Sequence, residues 1–172
     1  MSEIAKTSKK PPTQTGFKGA EYNEVATRAR LEKICLTGSR FDVNPEHFGH
    51  QNEWKLSYGR KLKSCQFVPE DECVMGVFEY HVIAKVGRAR AMQCTAEYIV
   101  IYELPGDAPE AAAQGFCKNV GGFAAYPYFR GLVAHLFAEA GLNIPPLPAI
   151  ASTAHIPPKQ KPKEIASDPE SA

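Results

Sequence analysis

No stretch of this sequence is apolar over enough residues to span a bilayer, and its opening, MSEIAKTSKKPPTQTG, holds no run suited to a signal peptide. Direct membrane insertion is therefore not expected, and the expected location is the cytoplasm. An excess of one charge is also missing: 20 Lys and Arg stand against 19 Asp and Glu, a formal +1. That balance gives no pull toward nucleic acid, and the lysines near the two ends alternate with prolines rather than aromatics. Close cysteine pairs are absent too. Cys35, Cys65, Cys73, Cys94 and Cys117 are odd in number and widely spaced, which argues against a disulfide framework. Cys65, Cys73 and Cys94 with His81 would be the candidate zinc set, yet zinc ligands usually come in pairs about two to four residues apart. Reduced, apolar packing is the expected role, with no metal.

Catalytic signatures are equally scarce. Gly115, Gly121 and Gly122 follow no GxGxxG or Walker spacing, so no phosphate cradle is expected. His47 and His50 fall in a turn, His81 on the polar face of a strand and His135 beside an apolar helix stripe. None has a Ser or Cys in a recognisable catalytic motif. The sequence gives no catalytic residue and no cofactor, and the expectation is a protein that is not an enzyme.

What is present is one domain's worth of apolar patterning, with 44% hydrophobic residues in a chain of 172. Residues 1–20 are rich in Lys, Pro, Thr and Gly and read as a disordered arm; 153–172 read as a disordered, proline-broken tail. The domain is expected over 21–152. EYNEVATRAR at 21–30 allows a short helix, and four strands follow. LEKICLTGSRFDV at 31–43 ends at the turn-forming NPEHFGHQN. From Trp54, WKLSYGRKL puts Trp54, Leu56, Tyr58 and Leu62 on one face and Lys55, Ser57 and Lys61 opposite. CVMGVFEYHVIAKV sets Val74, Phe78, Tyr80, Val82, Ala84 and Val86 on its more apolar face. AMQCTAEYIVIYEL does the same with Met92, Cys94, Ala96, Tyr98, Val100, Tyr102 and Leu104. The compact VGRARA link favours an antiparallel pair.

LPGDAPEAAA opens the helical region, with Asp107 as a plausible cap and Pro109 near the first turn. Farther on, Phe129, Leu132, Val133, Leu136 and Phe137 form an amphipathic stripe. Pro127 marks either a helix start or a kink, because AAAQGFCKN at 111–119 is helix-friendly and only Gly121-Gly122 interrupts it. Gly141 sits at a natural helix end, and LNIPPLPAIA after it can only be extended. The expected fold is α+β: a four-stranded antiparallel sheet with a long, Pro-interrupted helix packed on one face. Phe123, Tyr126, Tyr128, Phe129, Phe137, Ile144, Leu147 and Ile150 exceed what one helix on one sheet can bury, which predicts an apolar surplus for a subunit interface or a polypeptide groove.

GGFAAYPYFRGLVAHLFAEAGLNIPPLPAIA resembles the central signature of the SecB export chaperones and their SecB-like relatives. The PY followed by an arginine, the LNIPPLP segment and the upstream RFDVNP carry that resemblance, which runs from about Leu31 to Ile150. It implies an ATP-independent holding chaperone, a homo-oligomer built as a dimer of dimers, that takes unfolded client polypeptides in long apolar grooves. On that carry-over Trp54, Leu56, Tyr58, Tyr126, Phe129, Leu132, Phe137 and Leu147 are the groove or interface residues. The resemblance also implies docking of the SecA motor on acidic sheet positions. Here those align with Gly38, Asp42 and Thr95, leaving only Asp42 acidic. The family's C-terminal helix is expected to be missing, since HIPPKQKPKEIASDPESA is broken by proline. Both departures fit the branch that assists an antitoxin or another dedicated client. Two other readings remain: a hot-dog-like acyl-thioester enzyme, for which the helix start lacks an acid or histidine, and an oligomeric scaffold.

Overall fold

The computed structural model describes residues 19–149 of the chain. The segment 1–18 and everything from 150 on lie outside those residues, and with them the expected tail and the expected absence of a C-terminal helix. A helix, α1 (Gly19–Arg28), begins two residues before the expected domain start. Four strands follow: β1 (Arg30–Val43), β2 (Lys55–Val68), β3 (Cys73–Val86) and β4 (Ala89–Glu103). They form one antiparallel sheet in the order β1-β4-β3-β2. A 3-10 segment, Pro45–Glu53, carries the chain from one edge of the sheet to the other, capped by the Asn44 side chain accepting from the Glu46 amide.

The two central strands alternate strictly. Val74, Phe78, Tyr80, Val82 and Ala84 of β3 are buried on the same side as Met92, Cys94, Ala96, Tyr98, Val100 and Tyr102 of β4. That alternation puts every second residue under the helical layer. The edge strands depart from it. β2 carries an irregularity between Leu62 and Ser64, and β1 carries two, between Leu31 and Lys33 and between Leu36 and Gly38. Each inserts a residue and reverses which parity faces inward. Leu62 and then Cys65 and Phe67 therefore face the same layer.

One helical run covers this side. It is made of α2 (Glu110–Phe116), a π-type turn at Cys117–Gly121 and α3 (Gly122–Glu139). Asp107 does not cap it. The N-terminal position is Pro109 without a side-chain bond, and Asp107 instead accepts from the Arg28 guanidinium. The interruption lies at the π turn, whereas Pro127 sits inside continuous α3. The cause of the joint is visible in the sheet: Phe78 projects its ring where Cβ atoms of Gly76 and Gly121 would be, at 2.7 and 2.9 Å. Two glycines let the helix approach the strand over that ring. α3 ends with Gly141 at φ +65°, its amide bonded to the Ala138 carbonyl and that of Leu142 to the Phe137 carbonyl, the Schellman arrangement that Gly favours.

The run crosses the sheet obliquely. α2 packs on β2, Phe129 of α3 stacks on Tyr80 of β3 at 5.2 Å, and Phe137 meets Phe41 of β1. α1 packs on α2, with Val25 buried and Tyr22 against Phe116. The four-stranded antiparallel sheet with a long helical run on one face is the α+β fold that the patterning predicts.

Candidate functional site

An oblique helix leaves corners of the helix-facing side open. At the β2 corner, Leu56 and Tyr58 sit opposite Ala84 and Val82, whose side chains are sealed, yet they are themselves 37% and 45% exposed. Arg60, next in the same row, lies over the Phe123 ring at 4.1 Å. A cation over an aromatic face is attractive, and it holds the exposed Phe123 beside β2. Tyr126, one turn on, donates from its hydroxyl to the Pro148 carbonyl at 2.7 Å. Burial, then the neighbouring Tyr58 phenol, push the Tyr126 pKa up, against the opposing effect of Arg130.

The proline-rich segment bounds this corner. The Asn143 amide donates to the Gln51 side chain, and Arg130 Nε donates to the Leu147 carbonyl at 2.6 Å. With Tyr126 on Pro148, these bonds lay residues 142–148 back along α3. The prolines cannot donate, so side chains from α3 serve the segment's carbonyls instead. Leu147 is buried to 2% beneath it.

The eight expected groove residues therefore divide. Leu56 and Tyr58 keep open faces. Trp54 and Leu132 are half-buried against the core, Trp54 donating from its indole N–H to the His47 carbonyl. Tyr126, Phe129, Phe137 and Leu147 are core residues of the chain itself. The returning segment supplies a second cover, which is why the surplus is smaller than the aromatic count suggests. Phe123 and Tyr128 are the exposed aromatics of α3; the sequence counts both in the apolar surplus, but they lie outside the residues that the resemblance assigns to the groove. A second open corner carries Leu31 and Leu36 on β1.

The other side of the sheet has no helix over it among the described residues. One end of it is apolar, with Met75, Val77, Ile99 and Ile101 in adjacent register. Toward the other end, a shallow depression is lined by Gly38, Arg40, Glu79, Thr95 and Glu97. Lys63 reaches both carboxylates, at 3.4 Å to Glu79 and 3.8 Å to Glu97. Asp42 shares this face and pairs with Arg40 at 2.7 Å. Asp42 is thus paired with a cation of the chain, while Glu79 and Glu97 share the single Lys63.

Chemistry elsewhere is quiet. His81 lies over Gly59, where a Cβ would meet its ring at 2.8 Å; His50 pairs with Glu53, and His135 reaches Glu139 at 4.0 Å. Cys65, Cys73, Cys94 and His81 are not brought together, and among the described residues no three His, Cys, Asp or Glu side chains gather as a metal site would require.

No family model matches this chain, and no curated protein does. Among solved structures it is similar to the SecB-like chaperone Rv1957 of Mycobacterium tuberculosis, solved in complex with a ChAD peptide from the Rv1956 HigA1 antitoxin. That likeness has a TM-score of 0.61 at 18% identity and covers 77% of this chain and 97% of that one. It establishes a shared SecB-like fold. A protein of unknown function from Streptococcus agalactiae is matched at a TM-score of 0.34 and 11% identity, over 69% of this chain and 94% of that one, too distant to carry an argument.

Proposed function

We propose that this protein is a holding chaperone, not an enzyme, which binds an extended apolar segment of a non-native polypeptide without nucleotide. The observation that carries the reading is the β2 corner: Leu56 and Tyr58 stand on the helix-facing side of an edge strand and remain open while their strand partners are sealed. Burying one large apolar side chain contributes roughly 1.5–3 kcal/mol, so a client contributing several gains useful affinity with little sequence specificity. The edge of β2, which pairs with no further strand among the described residues, adds backbone groups that an extended client can bond.

A dedicated client, such as an antitoxin, is favoured over general export. The similar Rv1957 fold is seen with an antitoxin peptide, and the one acidic position expected to dock SecA, Asp42, is neutralised by Arg40. Self-association as a dimer of dimers in the cytoplasm, by the domain 21–152, completes the proposal; the exposed Leu31 and Leu36 of the β1 edge are the apolar contacts it would use. Neither the acyl-thioester reading nor the pure scaffold is favoured by a specific observation, since the start of α3 at Gly121 and Gly122 offers neither an acid nor a histidine.

The test is light scattering while a denatured, aggregation-prone protein is diluted into buffer with this protein at near-equal concentration and no nucleotide. Suppression that saturates at a fixed ratio supports the reading. Absence of suppression for both a general substrate and an antitoxin C-terminal peptide removes it.

A further inference from the structure

The geometry points to Cys65 and Cys117 as an oxidative modification site, in which exchange with a low-molecular-weight disulfide joins the two sulfurs in a reversible intramolecular cross-link. Cys65 stands on β2 just after its irregularity, directly opposite Gly76 of β3. Cys117 opens the π turn above, fully buried, and a Cβ on Gly76 would lie 2.7 Å from its sulfur. The missing side chain of Gly76 is what lets the Cys117 sulfur descend to the level of Cys65. The Cys65 thiol donates to the Gln114 carbonyl at 3.8 Å, one helical turn before Cys117 on the same face. The two free thiols are close enough to shift each other's ionisation.

This arrangement assigns the two thiols different parts. The neighbouring Cys117 lowers the Cys65 pKa, against burial, while Cys65 and burial raise that of Cys117. Cys65 is half-buried; Cys117 is sealed. Cys65 thiolate therefore attacks the small disulfide first, forming a mixed disulfide and releasing one small thiol. Cys117 then attacks the Cys65 sulfur, and its proton leaves with the second small thiol. Two protein thiols are oxidised and one disulfide is reduced to two thiols. The remaining cysteines lack such a neighbour: Cys94 is buried on β4, while Cys35 and Cys73 lie in strands on either side of β4, opposite Ile99 and Glu103.

The cross-link would pin the edge strand β2 to the joint between α2 and α3, and it stands whether or not the β2 corner binds polypeptide. The test treats the full chain with oxidised glutathione, blocks residual thiols with iodoacetamide and maps the peptides by mass. A dominant Cys65–Cys117 peptide pair, lighter by two hydrogens and reversed by dithiothreitol, is expected, together with an upward shift in the melting temperature. Cys65→Ser should leave Cys117 unmodified. Cys117→Ala, if it folds, should retain glutathione on Cys65. The inference is overturned if Cys35 or Cys73 is modified while Cys65 and Cys117 are both recovered free, or if Cys65 cross-links mainly between chains.

Discussion

The hydroxyl of Tyr80 donates to the carbonyl of Gly122 at 2.6 Å, from the middle of the sheet to the start of α3. Tyr80 is buried to 1%, and burial pushes its pKa well above the ordinary tyrosine value. Its ring also stacks on Phe129 and meets Tyr98 edge-on. One side chain thus fixes both the height and the position of the helix on the sheet. Tyr80→Phe keeps the ring and removes the bond, and a lost hydrogen bond between buried partners costs about 1 kcal/mol. Chemical denaturation should show that loss with no change in the denaturant slope.

Gly121→Ala separates helix propensity from packing. Propensity alone would stabilise the change by about 1 kcal/mol, but the added methyl would stand 2.9 Å from the Phe78 ring, which Gly76 already confines from the other side. Overpacking of that kind costs about 1–3 kcal/mol. Packing should win, and urea unfolding should show a net destabilisation.

Leu56→Ser and Tyr58→Ser are expected to leave stability within about 0.5 kcal/mol, as exposed positions do, while weakening suppression of client aggregation. Phe129→Ser is a different case, since truncating a fully buried ring costs about 3–5 kcal/mol. Thermal melts run beside the scattering assay should distinguish the two classes: lost binding with an unchanged melt for the corner, and a lowered melt for Phe129.

Alkaline titration reads the buried face of β4. Burial pushes Tyr98 and Tyr102 from the ordinary 10.0 to about 12, and Cys94 from 9.0 to about 11. The folded state therefore holds these protons to higher pH than the unfolded state does. The stability they contribute is complete below pH 9 and is lost as pH rises to about 12. Melting temperature followed by circular dichroism should fall through that window; a level profile would contradict the burial of these groups.

The sequence made the central strands plain because a helix covers one of their faces, so that Val74 to Ala84 and Met92 to Tyr102 alternate without a break. In β2 the face assignment carries only to Leu62, because the irregularity at Leu62 and Ser64 reverses parity and hides Cys65 and Phe67 from a period-two reading. The cap at Asp107 was lost to a competing cation, Arg28, far away in sequence. The apolar surplus was visible as composition, but its location was not. Whether Leu147 or Leu56 is sealed depends on how residues 142–148 return along α3 through Arg130 and Tyr126, bonds that no local pattern announces.

The most direct measurement places a photo-crosslinking phenylalanine analogue at Tyr58 in one variant and at Ile101, on the uncovered sheet face, in another, and illuminates each with a denatured client. Covalent adducts to the client from position 58 and none from 101 are the expected result. Adducts from 101 alone, or from position 58 only to a second copy of the chain, would contradict a polypeptide site at the β2 corner.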